Sequence, residues 1–245
     1  MDMDPLCKLE KRGRVHLITL TGAGEHRLSL ALLSAIRSAV AAVRASPGAG
    51  ALVLAAEGRF FCNGYDLAWA RAGAGAAPAD RLSAMRAAFR GLVADLLALP
   101  VPTVAAVTGH AAGSGLGLAL AHDAAVMRAS RGFLYASEVD VGIKLAGFFA
   151  DLLREKVPDA AARRDLLLRG DKMTAAEAAR RGVVDAAVDG GVEDVVAAAV
   201  AKAEELAARG WDGEVVAEIR KAAWPALWSK VRDDGGGGAA ARPRL

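Results

Sequence analysis

Residues 102–123, PTVAAVTGHAAGSGLGLALAHD, leave the chain few conformational choices. Residues 103–107 are short, apolar and rich in β-branched side chains, which predicts a buried strand. The chain then passes Gly109, Gly113, Gly115 and Gly117 and resumes as a small-residue helix over residues 116–121. A strand that runs through glycines into a helix start presents first-turn N–H groups with no intrahelical partner. The positive end of the helix dipole lies behind them. Glycine also lets a ligand approach the backbone itself. The stretch therefore suits an oxygen that is negative or becomes so. Close helix–strand packing explains the same glycines, and the residues alone leave both readings open.

The 245 residues fit one large domain, or one domain with a smaller helical piece. At 54% hydrophobic residues, a substantial core is available. The net charge of +3 is interspersed, without basic blocks or interleaved aromatics, which argues against a nucleic-acid partner. No apolar run reaches the roughly 20 residues that span a bilayer, so no membrane partner is expected. Residues 1–13 are charged and lack the apolar centre of a signal peptide. Cys7 and Cys62 form no CxxC or Cys/His cluster, and His16, His26, His110 and His122 show no ligand spacing. These features predict a reducing compartment and no metal site. The abundance of alanine reads as compositional bias, since alanine substitutes cheaply on helices.

In chain order, residues 6–11 and 15–21 read as strands around a turn at Arg12-Gly13-Arg14. Ser29 is placed to cap a helix running to about Ala45, with Leu32, Leu33, Ile36, Val40 and Val43 as its apolar stripe. Residues 51–55 form a buried strand that turns into RFFCNGYDL. Residues 72–79 are Ala/Gly/Pro-rich and read as a mobile loop. A long helix is expected over residues 80–99, and further strands over 124–128 and 132–136. Strands alternating with helices predict an α/β fold. The remainder reads as helical: 145–157, 160–169, a capping box opening at Thr174, then 192–209 and 213–232, with a short strand over 183–188. The expected division is a core over residues 1–190, a helical region over 191–233 and a low-complexity, disordered tail over 234–245.

Three segments carry candidate chemistry. GSGLG departs from the dinucleotide pattern GxGxxG, because Leu118 stands where the last glycine belongs, and three strands precede it. Ser114 lies between glycines, but the flanking Ala112 and Leu116 break a nucleophile elbow. The segment RFFCNGYDL sets two aromatics tightly against an Asn-Gly turn. In SEVDVG, residues 137–142, an extended backbone would send Val139, Val141 and Ile143 to the core. Glu138 and Asp140 would then share the opposite face. A solvated acidic face and a buried general base both fit that pattern.

Taken in order, these segments resemble the crotonase (enoyl-CoA hydratase/isomerase) superfamily. The motifs are F-x-x-G-x-D at Phe61 to Asp66, P-x-[TV]-A-A-V-x-G-x-A-x-G-x-G at Pro102 to Gly115, and S-E-V-x-x-G at Ser137 to Gly142. The similarity continues through LLLRGDKMTAAEAARRGVVD and covers roughly residues 8–210. Within the superfamily, HRLSL, NGYDLAWA and LYASEVDVG look most like the plant peroxisomal Δ3,Δ2-enoyl-CoA isomerases.

The resemblance implies an α/β spiral of ββα turns with a helical C-terminal trimerisation region. It also implies an acyl-CoA thioester substrate and a homotrimer or dimer of trimers. Glu138 would be the catalytic acid/base. The backbone N–H groups of Asn63 and Ser114 would form the oxyanion hole. Arg27, Leu28, Cys62, Gly64, Tyr65, Asp66, Leu67 and Gly113 would bind the substrate, largely through the main chain. No metal or redox cofactor would be needed, coenzyme A being part of the substrate. The hydratases carry a second glutamate where this chain has Gly117, which favours double-bond transposition over hydration. Asp140 has no assigned role. A dienoyl-CoA isomerase, thioesterase or decarboxylase of the same fold, and a non-catalytic acyl-CoA-binding protein, are the alternatives. The final Pro243-Arg244-Leu245 resembles a variant of the Ser-Lys-Leu peroxisomal address read by an import receptor.

Overall fold

The computed structural model describes residues 6–22, 24–72 and 77–232. The expected mobile loop lies partly, and the tail wholly, outside them. The first hairpin pairs β1 (Cys7–Arg12) with β2 (Val15–Leu20), antiparallel, Cys7 opposite Leu20. Gly13 makes the turn at φ +60°, a conformation that costs glycine little. Helix α1 (Leu30–Ala45) starts where the Ser29 hydroxyl accepts from the Leu32 N–H at 3.1 Å. Its predicted stripe is buried.

From there the chain repeats one pattern. A strand enters a long sheet, the next enters a short sheet, and a helix returns. The first pair is β3 (Ala51–Ala56) and β4 (Phe60–Cys62), followed by α2 (Leu67–Ala72) and α3 (Pro78–Leu97). The second is β5 (Thr103–Val107) and β6 (His110–Ala112), followed by α4 (Ser114–Leu120). The third is β7 (Ala124–Arg128) and β8 (Leu134–Tyr135), followed by α5 (Gly147–Lys156) and α6 (Ala160–Arg164) with a π-helical turn at Asp165–Arg169. Then come α7 (Ala175–Arg180), β9 (Ala186–Val188), α8 (Val192–Ala207), α9 (Gly213–Ala223) and α10 (Pro225–Arg232). The long sheet runs β1-β2-β3-β5-β7-β9 and the short one β4-β6-β8. Every pair except β1–β2 is parallel.

Several expectations need correction. Strand β6 and helix α2 were not foreseen; three-residue strands and a six-residue helix are too short for periodicity to reveal. The single helix expected over 213–232 is two, because Pro225 cannot donate to the preceding turn and Trp224 leaves helical geometry at φ −127°, ψ 64°. Alanine is also more than bias. Val195, Ala199, Ala203 and Ala207 form a buried stripe along α8, against Val15, Val53, Val104 and Val126 of the long sheet. Gly109 and Gly115 serve packing: a β-carbon on either would overlap the carbonyl of Arg59 or Cys62 in β4 and its approach. Gly109 seats the start of β6 against the start of β4, and Gly115 seats the start of α4 against the end of β4, with β8 beside β6 in the same short sheet.

Candidate active site

A cavity of about 290 Å³ lies where those three strands end. Asn63, Gly64, Tyr65 and Leu67 after β4, Gly113 and Ser114 after β6, and Ser137 and Glu138 after β8 form one side. Arg86 of α3, Val141, Ile143, Lys144, Ala146 and Phe149 of α5 help to complete it.

Two glycines shape the floor. Gly64 has φ +71° and Gly113 φ +51°, so both need glycine's freedom. A β-carbon on Gly64 would stand 3.0 Å from the Ala112 carbonyl oxygen and 3.5 Å from the Ser114 nitrogen. A side chain there would shield the Ser114 amide.

The amides of this region divide clearly. The Asn63 N–H donates to the Glu25 carbonyl at 2.9 Å, and its side-chain amide donates to Glu25 Oε2 at 3.0 Å. Asn63 is therefore held by its own chain, and its expected role as a backbone donor is corrected. The N–H groups of Tyr65 and Ser114 have no acceptor among the described residues. Both residues line the cavity. The donor after the Asn-Gly turn thus lies two residues beyond the expected position.

Residues 137–143 are not extended. Val141 N–H donates to Ser137 O at 3.0 Å and Ile143 N–H to Glu138 O at 2.9 Å, with Gly142 at φ +67°. This turn leaves Val139 and Val141 52% and 44% exposed, the reverse of the expectation from alternation. It also separates the two carboxylates. Asp140 is exposed, with Oδ2 2.9 Å from where a β-carbon on Gly170 would stand. Glu138 points into the cavity. Its Oε1 lies 3.1 Å from where a β-carbon on Gly113 would stand, and its Oε2 is buried with no hydrogen-bond partner. Burial holds its pKa above the ordinary carboxylate value, against opposing contributions from its own backbone N–H and the Arg86 guanidinium. A carboxylate in this state is a stronger base than one in water and is free to accept a proton.

Glu138 is the only acidic side chain lining the cavity among the described residues. Behind the cavity-lining Phe149 ring, at Gly117, the packing is hydrocarbon. A β-carbon there would meet Cε2 of Phe149 at 2.7 Å and Cζ of Phe89 at 3.3 Å.

Of the expected binding residues, Arg27, Gly64, Tyr65, Leu67 and Gly113 line the cavity. Three do not line it. Leu28 is buried, its N–H donating to Gly64 O at 2.7 Å and its carbonyl accepting from Asp66 N. Cys62 is in the core, its thiol pushed up to about 12 by burial. Asp66 Oδ1 accepts from Trp69 N–H at 3.0 Å and so caps α2. Sequence reasoning missed Arg86, Tyr135 and Phe149. Each sits in an amphipathic or apolar segment with no local sign of a site. Arg86 donates to the Lys144 carbonyl at 2.7 Å, tying α3 to the wall opposite Gly113.

The enoyl-CoA hydratase/isomerase family model matches residues 10–222. The chain belongs to that family. Among curated relatives, peroxisomal enoyl-CoA delta isomerase 2 of Arabidopsis thaliana is 48% identical over 91% of this chain and 93% of its own length. Enoyl-CoA delta isomerase 3 of the same plant is 45% identical over 92% and 95%. Among solved structures, an enoyl-CoA isomerase of Mycobacterium tuberculosis superposes with a TM-score of 0.82 at 22% identity, covering 94% of this chain and 96% of that one. The enoyl-CoA hydratase/isomerase fold is therefore shared even where the sequences have diverged.

Proposed function

We propose that the protein is a Δ3,Δ2-enoyl-CoA isomerase, converting a 3-enoyl-CoA to the 2-trans-enoyl-CoA of fatty acid β-oxidation. The observation that carries this reading is the single Glu138 carboxylate, its Oε2 buried without a hydrogen-bond partner, beside two unengaged amides. The high identity to plant delta isomerases supports it.

The thioester carbonyl oxygen rests on the Tyr65 and Ser114 N–H groups. Glu138 removes a proton from C2; the electron pair of that C–H bond forms C1=C2 and shifts the carbonyl pair onto the oxygen, giving a dienolate conjugated with the intact C3=C4 bond. The two amides hold the resulting dienolate; one such donor is worth roughly 3 kcal/mol of barrier. Protonated Glu138 then delivers its proton to C4, and the double bond settles between C2 and C3. One proton moves within the substrate, so the reaction needs no electron acceptor and no metal. Arg27 at the mouth of the cavity, ion-paired to Glu25 at 2.5 Å, lies on the approach for the CoA portion.

The relatives' names favour a peroxisomal location, with Pro243-Arg244-Leu245 as the address and an import receptor as its reader. A trimer or dimer of trimers built on the 191–233 helices completes the proposal. The test is purified protein with 3-enoyl-CoA, followed by the absorbance of the conjugated thioester. Growth of that absorbance supports the reading. Its absence, with the thioester bound, contradicts it.

A further inference from the structure

A 2-enoyl thioester on two amide donors is an electrophile at C3. Water adding there, with oxygen bonding to C3 and hydrogen to C2, would give a 3-hydroxyacyl-CoA. Both reactions carry negative charge to the same oxygen, so the amides do not choose between them. What chooses is whether a water can be held beside C3 of the acyl chain.

Phe149 is the third residue of α5, directly after the 141–146 wall. It is 3% exposed, and its ring edge lies against the α4 backbone at Gly117, where no side chain intervenes. Phe89 closes the same spot from α3, and Tyr65 meets Phe89 edge-on with ring centroids 6.0 Å apart. Of the two phenylalanines only Phe149 lines the cavity, and its ring presents hydrocarbon there. A buried water needs about two to four polar partners, and the Phe149–Phe89 surface at Gly117 presents only carbon. Gly117 is the reciprocal half of the arrangement: any larger residue would collide with the ring.

We propose that Phe149, whose ring lines the cavity and fills the space in front of Gly117, sets the reaction outcome by keeping water off that face, so that the Glu138 proton returns to C4 and water does not add at C3. The inference rests on the isomerase reading and names the side chain that makes the site selective.

The test has two parts. With wild-type protein in D2O at early conversion, hydrogen at C4 of the product is expected to come partly from C2 of the substrate. Complete deuteration at C4 would overturn the dry-wall account without any variant. Phe149→Ala opens room for water, whose share of liquid volume is about 30 Å³. The ratio of 3-hydroxyacyl-CoA formation to isomerisation is then expected to rise at least about tenfold, with transfer from C2 to C4 falling. Phe149→Leu keeps hydrocarbon against Gly117 and should hold the wild-type ratio. An unchanged ratio in a folded Phe149→Ala protein would overturn the inference while leaving the isomerase intact. Wild type that fails to isomerise would remove the reading beneath it.

Discussion

A β-carbon on Gly113 would stand 3.1 Å from Oε1 of Glu138. Gly113 also has φ +51°, a conformation L side chains rarely adopt. The glycine that precedes the Ser114 amide is thus the surface against which the base rests. Gly113→Ala is expected to displace either the carboxylate or the amide. A misplacement near 1 Å costs on the order of 10²-fold in rate. Steady-state kinetics should show the loss mainly in kcat, and wild-type kcat in this variant would contradict the geometry.

The base works only when ionised. Burial raises the pKa of Glu138, so kcat/KM should fall as pH drops through a value above the ordinary glutamate figure of about 4.3. Arg86 opposes that rise. Arg86→Gln should therefore move the acid limb further up the pH scale, and Arg86→Lys should restore it in part. A pH–rate profile checks both shifts.

The same burial has a stability consequence of definite sign. Because the folded-state pKa of Glu138 is raised, folding binds the proton more tightly. The contribution to stability is fully present below the unfolded value and is lost as pH rises through the folded one. Glu138→Gln should melt above wild type at pH 7, with the difference shrinking below about pH 4.3. Melting curves at the two pH values decide this.

Far from the cavity, Arg220 of α9 is 4% exposed. It donates to Asp123 at 2.7 Å through two nitrogens and to the carbonyls of Leu97, Leu99 and Val101. Burial alone would raise the Asp123 pKa, but Arg220's hydrogen bonds and charge outweigh it and hold the carboxyl low. Arg220→Met strands that charge, at a cost of roughly 3–5 kcal/mol, or about 10 °C in Tm for a chain of this size. A fall in Tm under about 2 °C would contradict this account of how α9 is anchored.

Much of this architecture was legible in the sequence, where one local rule decided the outcome. Ser29 caps α1, Pro47 and Gly48 follow its end, and the β-branched run at Thr103–Val107 is a buried strand. The site was legible in part. Glu138, Gly113 and Ser114 converge as expected from the resemblance, but three features depended on contacts distant in sequence. The Asn63 amide is taken by Glu25, 38 residues earlier, which no local pattern reveals. The alternation of Val139, Val141 and Ile143 reads as a strand, yet backbone bonds from Val141 and Ile143 close a turn there. The Phe149 ring fills the space at Gly117 from another helix.

The central claim is that one carboxylate carries the proton. Its most direct test is turnover of 3-enoyl-CoA by wild type and Glu138→Gln, with acyl-CoA binding measured in parallel. Glutamine keeps the shape and removes the base. The account predicts unchanged binding and a loss of at least about 10²-fold in kcat. Equal turnover by the two proteins would contradict it.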